Sequence, residues 1–324
     1  MAAPTLAAEE VNVYTHRHYD ADRLLFEQFT EKTGIAVNVV KASADQLIKR
    51  LEIEGAQSPA DILVTVDAGR LYRAQEKGLL RSVKSEKLES QIPAHLRDPN
   101  GHWFGLTTRA RIIVYSKDRV KPDQLSTYEA LTEPEWKGKV LIRSSQNIYN
   151  QSLMASMIVA HGSEGAAKWV KGMVANFART PKGNDRDQVK AIASGIGDVA
   201  IVNTYYIGKL LNSADDTERH AGAQVGIFFP NQDGRGAHVN VSGAGVTKSS
   251  KNLKNAVALL EFLSGPEAQQ AFAEANSEYP VNPAVDEPPL VQSWGTFKAD
   301  QIDLSLLGKH NFEAVKIFAE NGWR

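Results

Sequence analysis

Short runs of β-branched residues alternate along this chain with segments of helical periodicity, and this alternation restricts the fold more than any other feature. Residues 11–14, 35–40 and 61–66 have the composition of buried strands, and a helix-type segment follows each of them. Such alternation is typical of a sheet covered by helices, so we predict an α/β protein. Further strands are predicted at 111–116, 139–143, 198–202, 225–229 and 239–247.

The chain is long enough for two lobes. Its 324 residues exceed the roughly 100–200 residues of a usual single domain. No flexible linker separates two halves, so we expect the chain to pass between the lobes more than once, near residues 107–111 and 231–239. The predicted N-terminal lobe comprises residues 9–107 plus 236–285, and the predicted C-terminal lobe comprises residues 108–235 plus 286–324.

Composition excludes several classes of function. The 37 basic and 38 acidic residues give a net charge of −1, which lacks the positive excess of a nucleic-acid-binding protein. The apolar runs are far shorter than the ~20 residues that cross a bilayer, so we expect a soluble protein. There is no cysteine, which excludes disulfides, thiolate metal sites and a cysteine nucleophile. The first residues, MAAPTLAAEE, suggest the remnant of a small-residue cleavage site, and we expect a removed secretion signal.

The stretch YTHRHYDAD, residues 14–22, has two interpretations. His16, His18 and Asp20 match three positions of the His-x-His-x-Asp-His motif of zinc hydrolases of the metallo-β-lactamase type. The next position is Ala21, and no other histidine has a convincing ligand context, so a binuclear site would lack ligands. The chain also contains no GxxxxGK[ST] or GxGxxG phosphate motif, and NVSGAG, residues 240–245, fits a structural turn better than a nucleophile elbow.

In the second interpretation of that stretch, its tyrosine is the functional residue. Four tyrosines follow predicted strands, and in open α/β sheets ligands bind beyond the carboxyl ends of strands. A single tyrosine at such a position is usually a half-buried packing residue with a solvated hydroxyl. An adjacent pair directly after a strand is less ordinary. The four residues are Tyr19, Tyr149, Tyr205 and Tyr206.

Several segments of the chain resemble the periplasmic ferric-ion-binding proteins of ABC iron transporters, and RHYDAD makes the cyanobacterial Fut-type branch the best match. This resemblance spans nearly the whole chain and implies a two-lobed, type II periplasmic-binding-protein fold. Each lobe would be a mixed, mainly parallel sheet flanked by helices, with a cleft between the lobes. The segments are ADILVTVDAGRLYRAQEKGLL, LTTRARIIVYSKD, GDVAIVNTYYIGKLL and FLSGPEAQQAFAEANSEYPVNP.

The resemblance also implies a ligand set. The adjacent tyrosine pair is its most specific element. His18 corresponds to a histidine that ligates iron in some members of the family and stands aside in others, and Arg109 corresponds to an arginine near the site. Arg111 would point the same way from a strand, so only the resemblance selects Arg109. The implied iron ligands are Tyr19, Tyr149, Tyr205, Tyr206 and, with less weight, His18.

Phenolate chemistry agrees with this ligand set. A free phenol has a pKa of ~10, so its ionisation at neutral pH needs a strongly polarising cation such as Fe(III). Four phenolates around Fe(III) sum to −1, and Arg109 brings the total to zero, whereas Fe(II) would leave uncompensated buried charge. The sequence therefore predicts a preference for ferric iron and no need for a synergistic anion.

The predicted function is the capture of ferric iron and its delivery to an inner-membrane ABC permease by a periplasmic monomer. We expect no enzymatic activity, no organic cofactor and no nucleic-acid partner. One alternative is a carrier of another small ligand, such as an anion, a polyamine or a sugar phosphate, on the same scaffold. Others are a metal-dependent hydrolase and a cytoplasmic iron-handling protein.

Overall fold

A computed structural model describes residues 9–17 and 19–324, and these residues divide into two units. Unit 1 contains the described residues up to Thr107, together with Val241–Ala275 and Pro280–Asp286. Unit 2 contains Thr108–Asn240, Asn276–Tyr279 and Glu287–Arg324. Both units are therefore assembled from separate stretches of the chain.

The described part of the chain forms nine strands and thirteen α-helices. The strands are β1 (Glu10–Thr15), β2 (Ala36–Lys41), β3 (Ile62–Val66), β4 (Phe104–Ser116), β5 (Val140–Leu141), β6 (Val199–Asn203), β7 (Val225–Phe228), β8 (Val239–Val246) and β9 (Tyr279–Pro280). The helices are α1 (Asp20–Thr33), α2 (Ala44–Glu54), α3 (Ala68–Glu76), α4 (Glu86–Gln91), α5 (Ile148–Asn176), α6 (Asp185–Ala193), α7 (Tyr205–Leu211), α8 (Asp216–Ala223), α9 (Leu253–Leu263), α10 (Pro266–Asn276), α11 (Pro289–Gln292), α12 (Ser305–Lys309) and α13 (Asn311–Glu320). Among them, no helix combines the length and apolarity needed to cross a membrane.

The sheet of unit 1 is centred on β1 and β3. Strand β1 pairs in parallel with β2 and β3, and β3 pairs antiparallel with β8. All five residues of β3 are buried, as expected for an apolar run with helices packed nearby. NVSGAG lies inside β8, so the predicted turn at these residues is wrong: Gly243 and Gly245 continue the ladder with β3.

Helix α1 begins at Asp20, directly after Tyr19. Its N-cap is Tyr19, whose side chain makes no capping hydrogen bond. Both aspartates lie in the first turn, where their charges interact favourably with the helix dipole. The helix ends at Gly34, which has a φ of 74°, a conformation that glycine adopts without a steric penalty.

The sheet of unit 2 is centred on β6. Strand β6 pairs in parallel with β5 and antiparallel with β4, and β7 pairs antiparallel with β4. Apolar clusters pack on this sheet and include Ile113 and Ile201 in one and Ile112 and Val202 in the other, as the alternation of side chains requires. Helices α5 and α7 follow β5 and β6 in the chain and so begin at the same edge of the sheet.

Candidate metal centre

Two of the predicted ligands meet in unit 2. The hydroxyl of Tyr205 donates a hydrogen bond of 3.2 Å to the hydroxyl of Tyr149. Tyr149 is the second residue of α5, where the side chain of Asn147 caps the helix by accepting the Tyr149 amide at 3.0 Å. Tyr205 is the first residue of α7. Because both helices start beyond neighbouring parallel strands, residues far apart in sequence become neighbours.

Tyr206 joins this pair. Its ring centroid lies 4.3 Å from that of Tyr205, with 34° between the ring planes. Tyr205 is 5% exposed and Tyr206 is half-buried. Burial, followed by the nearby Tyr149 and Asp185, raises the pKa of Tyr206 well above its ordinary value. This phenol is therefore neutral at physiological pH and would ionise only against a strong cation.

Three guanidinium groups surround the ring of Tyr149. The Cζ atoms of Arg109, Arg111 and Arg143 lie 5.7, 5.8 and 5.4 Å from its centroid. Arg109 and Arg111 are each 2% exposed, so neither is a surface arginine at a strand edge. They occupy alternate positions of β4 and so share one face of the strand.

Asp185 holds two of these arginines. Its carboxylate accepts hydrogen bonds from Arg111 Nη1 at 2.6 Å and from Arg143 Nη1 at 2.8 Å. Arg111 also donates to Asn150 at 2.7 Å and to Asn203 at 3.2 Å. Burial has the largest single effect on the pKa of Arg143 and lowers it, but Asp185, Tyr206 and Tyr149 together raise this pKa above its ordinary value. The three guanidiniums and one carboxylate sum to +2 (3 − 1) beside the tyrosines.

Sequence reasoning did not identify Arg143, Asp185 or Asn203 as part of this centre. A signal was present for two of them, because Arg143 ends a predicted strand and Asn203 follows a predicted strand. Arg143 and Asn203 therefore belong to the strand–helix junctions at which the tyrosines were found, whereas Asp185 begins α6, which follows α5 in the chain. The charges of Arg111, Arg143 and Asp185 change the balance, since the sequence-based count included only Arg109.

The other two predicted ligands belong to the N-terminal stretch. Tyr19 lies in unit 1, half-buried at the N-cap of α1, with Arg17 Cζ 5.0 Å from its ring centroid. Arg17 is itself paired with Asp22 at 3.1 Å. His18 lies outside the described residues. The roles of Tyr19 and His18 as ligands remain predictions.

The donors of this centre are phenols rather than imidazoles or carboxylates. Within residues 9–17 and 19–324, no three His, Asp or Glu side chains are grouped in a way that could hold a metal ion. Asp67, adjacent to a predicted strand, caps α3 by accepting the Gly69 amide at 2.9 Å. The chemistry available in unit 2 is therefore that of three phenols beside a net positive charge.

Comparison with known proteins identifies the family. The model of the bacterial extracellular solute-binding proteins matches residues 25–299. The chain belongs to this family. It is 51% identical over 316 residues to iron uptake protein A1 of Synechocystis, covering 98% of this chain and 88% of that protein. It is 27% identical to the major ferric iron-binding protein of Neisseria meningitidis, covering 88% and 85% of the two chains.

Solved structures agree with this assignment. Trichodesmium IdiA (FutA) in complex with iron and citrate ligands superposes with a TM-score of 0.95 at 50% identity, over 97% of this chain and 100% of that one. Apo FutA2 from Synechocystis gives a TM-score of 0.93 at 48% identity, over 98% and 100%. The predicted Fut-type family membership and the predicted type II periplasmic-binding-protein fold are confirmed.

Proposed function

We propose that this protein binds ferric iron through the phenolate oxygens of Tyr149, Tyr205 and Tyr206 and carries it to an ABC permease. The observation that supports this most strongly is the 3.2 Å contact between the hydroxyls of Tyr149 and Tyr205, with the ring of Tyr206 packed at a tilt against that of Tyr205. As anionic oxygen donors the three phenols match a hard trivalent ion. The resemblance adds Tyr19 and His18 as further ligands.

The preference for Fe(III) rests on phenolate chemistry rather than on charge balance. Four phenolates with Fe(III) sum to −1, and the +2 of the three arginines and Asp185 brings the total to +1. Fe(II) in the same site would give zero. Arg109 alone would balance the ferric site, but Arg111, Arg143 and Asp185 make the surroundings more positive, so charge balance neither disfavours Fe(II) nor removes the need for an anion. A single negative charge from an accompanying anion would neutralise the ferric form.

The family supports a proposal for delivery and location. Bacterial extracellular solute-binding proteins serve ABC importers, and the relatives carry names of iron uptake and ferric iron binding. We therefore infer a permease partner and a periplasmic location for this chain, with the protein acting as a monomeric carrier rather than an enzyme.

The test is the visible absorption of the protein loaded with ferric iron. Phenolate-to-Fe(III) charge transfer colours such a site, whereas a carrier of an organic anion, polyamine or sugar phosphate is colourless. We expect Tyr205→Phe and Tyr206→Phe to lose the band and tight binding, because each removes one donor oxygen and leaves the ring. Tyr115→Phe, in β4 outside the cluster, is the matched control. Retention of both properties by the first two variants would reject the proposal.

A further inference from the structure

The helix that carries the tyrosine pair touches a second stretch of unit 2 through a glycine. A Cβ atom placed on Gly208 of α7 would overlap Oγ and Cβ of Ser277 and would lie 3.6 Å from Leu290 Cδ2. No side chain fits between the backbone of α7 and Ser277. Gly208 follows Tyr205 by three residues and Tyr206 by two, so the contact lies within one helical turn of both.

Ser277 is held in an unusual conformation. Its φ of 54° lies in the left-handed region, which costs free energy for a residue other than glycine and persists where the surroundings fix it. The segment Asn276–Tyr279 is buried at all four positions. The ring of Tyr279 packs edge-on against Phe297, with centroids 5.4 Å apart, and Phe297 stacks on Phe229 at 4.3 Å. Aromatic packing therefore anchors the segment that presents Ser277.

The other end of α7 is anchored to β4. The amide of Thr204 donates to the carbonyl of Ala110 at 3.0 Å, and the amide of Ala110 donates to Thr204 Oγ1 at 3.3 Å. Ala110 stands between Arg109 and Arg111. Helix α7 has seven residues and no side-chain cap at its N-terminus, so tertiary contacts rather than helix propensity set its position.

We propose that the contact between Gly208 and Ser277 positions Tyr205 and Tyr206 for the metal, and this inference rests on the proposed function. The tyrosine pair lies between two anchors, one on β4 and one at Ser277. The second anchor lies on Asn276–Tyr279, a short passage of unit 2. Residues of unit 1 flank this passage on both sides in the sequence. The conformation of this passage and the placement of the tyrosines are therefore coupled.

The experiment is a double-mutant cycle on the full chain, with ferric iron supplied as its nitrilotriacetate complex. Gly208→Ala should weaken iron binding about tenfold and shift the charge-transfer maximum, because the added methyl group displaces α7. Ser277→Gly relieves the left-handed φ but removes the anchor, and should weaken binding about threefold. In the double variant the new methyl group fills the space left by Ser277, so both binding and the band should return close to wild type.

Gly234→Ala is the matched control, since a Cβ there would meet nothing nearer than Asn231 O at 3.8 Å. Wild-type binding by Gly208→Ala, or additive losses in the double variant, would overturn the inference. If Gly208→Ala alone does not fold, the double variant decides: recovery of fold and binding supports the contact, and failure of both rejects it. A wild-type protein without the band would instead reject the proposed function, and the inference with it.

Discussion

Asp185 Oδ1 lies 2.6 Å from Arg111 Nη1, and the two side chains are 0% and 1% exposed. The carboxylate also binds Arg143, so one anion holds two of the three guanidiniums around Tyr149. Removing one partner of a buried ion pair leaves an uncompensated charge. The arrangement of positive charge at the tyrosines thus depends on a residue that does not itself touch them through a hydrogen bond in the described structure.

We expect Asp185→Asn to lower the free energy of unfolding by about 3–5 kcal/mol, because it leaves buried guanidiniums without their counter-charge. Urea unfolding of the metal-free protein measures this. Asp198→Asn provides the comparison: Asp198 pairs with Arg119 at 2.6 Å, but Arg119 is 37% exposed, and exposed pairs contribute under about 1 kcal/mol. An equal decrease in the free energy of unfolding in the two variants would show that burial does not make the Asp185 pairs more stabilising than the exposed pair.

Much of the fold could be predicted because it depends on local patterns. The apolar runs in β1, β3 and β6 are marked by β-branched residues, and Gly34 marks the end of α1. Strand β4 begins at Phe104 rather than at the predicted residue 111, because FGLTTRA lacks a continuous apolar run and is extended by its neighbours. Strand β5 is shorter than predicted, at Val140–Leu141, since Arg143 turns out of the sheet to meet Asp185.

The candidate site was predictable only in part for the same reason. The meeting of Tyr149 with Tyr205 follows from the rule that parallel strands end at one edge of a sheet. Asp185 pairs with Arg111 and Arg143, and the local sequence around each of these residues does not predict which partner it has. The contact of Gly208 with Ser277 is likewise a tertiary contact between residues far apart in the sequence. Local periodicity identifies elements, whereas charge pairs and close backbone approaches require the assembled unit.

Iron binding should release protons, and the number should fall when a tyrosine is removed. The pKa of Tyr206 is raised by burial, so at neutral pH the phenol is protonated and the metal must displace that proton. Apparent affinity therefore rises with pH below the phenol pKa, about tenfold per pH unit for each proton displaced. Tyr206→Phe should reduce the slope of log affinity against pH by about one, as measured by competition with a chelator of known proton balance. An unchanged slope, against Tyr115→Phe as control, would mean that Tyr206 is not ionised by the metal.

Acid should destabilise the metal-free protein through His238. This imidazole is 2% exposed, and burial, followed by Arg235, Arg111 and Arg109, lowers its pKa well below the ordinary value. In the folded state His238 therefore stays neutral to a lower pH, whereas in the unfolded state it binds a proton as the pH falls below about 6.5. The free energy of unfolding should then decrease by up to about 1.4 kcal/mol per pH unit between that value and the lower folded-state pKa.

His238→Gln isolates this contribution, because glutamine stays neutral over the same range while every other titrating group is retained. We expect urea unfolding of the variant between pH 7.5 and 5.5 to lose stability more slowly with acidification than the wild type does, whatever the substitution costs at neutral pH. His220→Gln, at an exposed position of α8, should keep the wild-type slope. Parallel pH profiles for the wild type and His238→Gln would show that the buried imidazole does not limit stability in acid, since the arginines beside it would then impose no penalty on its protonation.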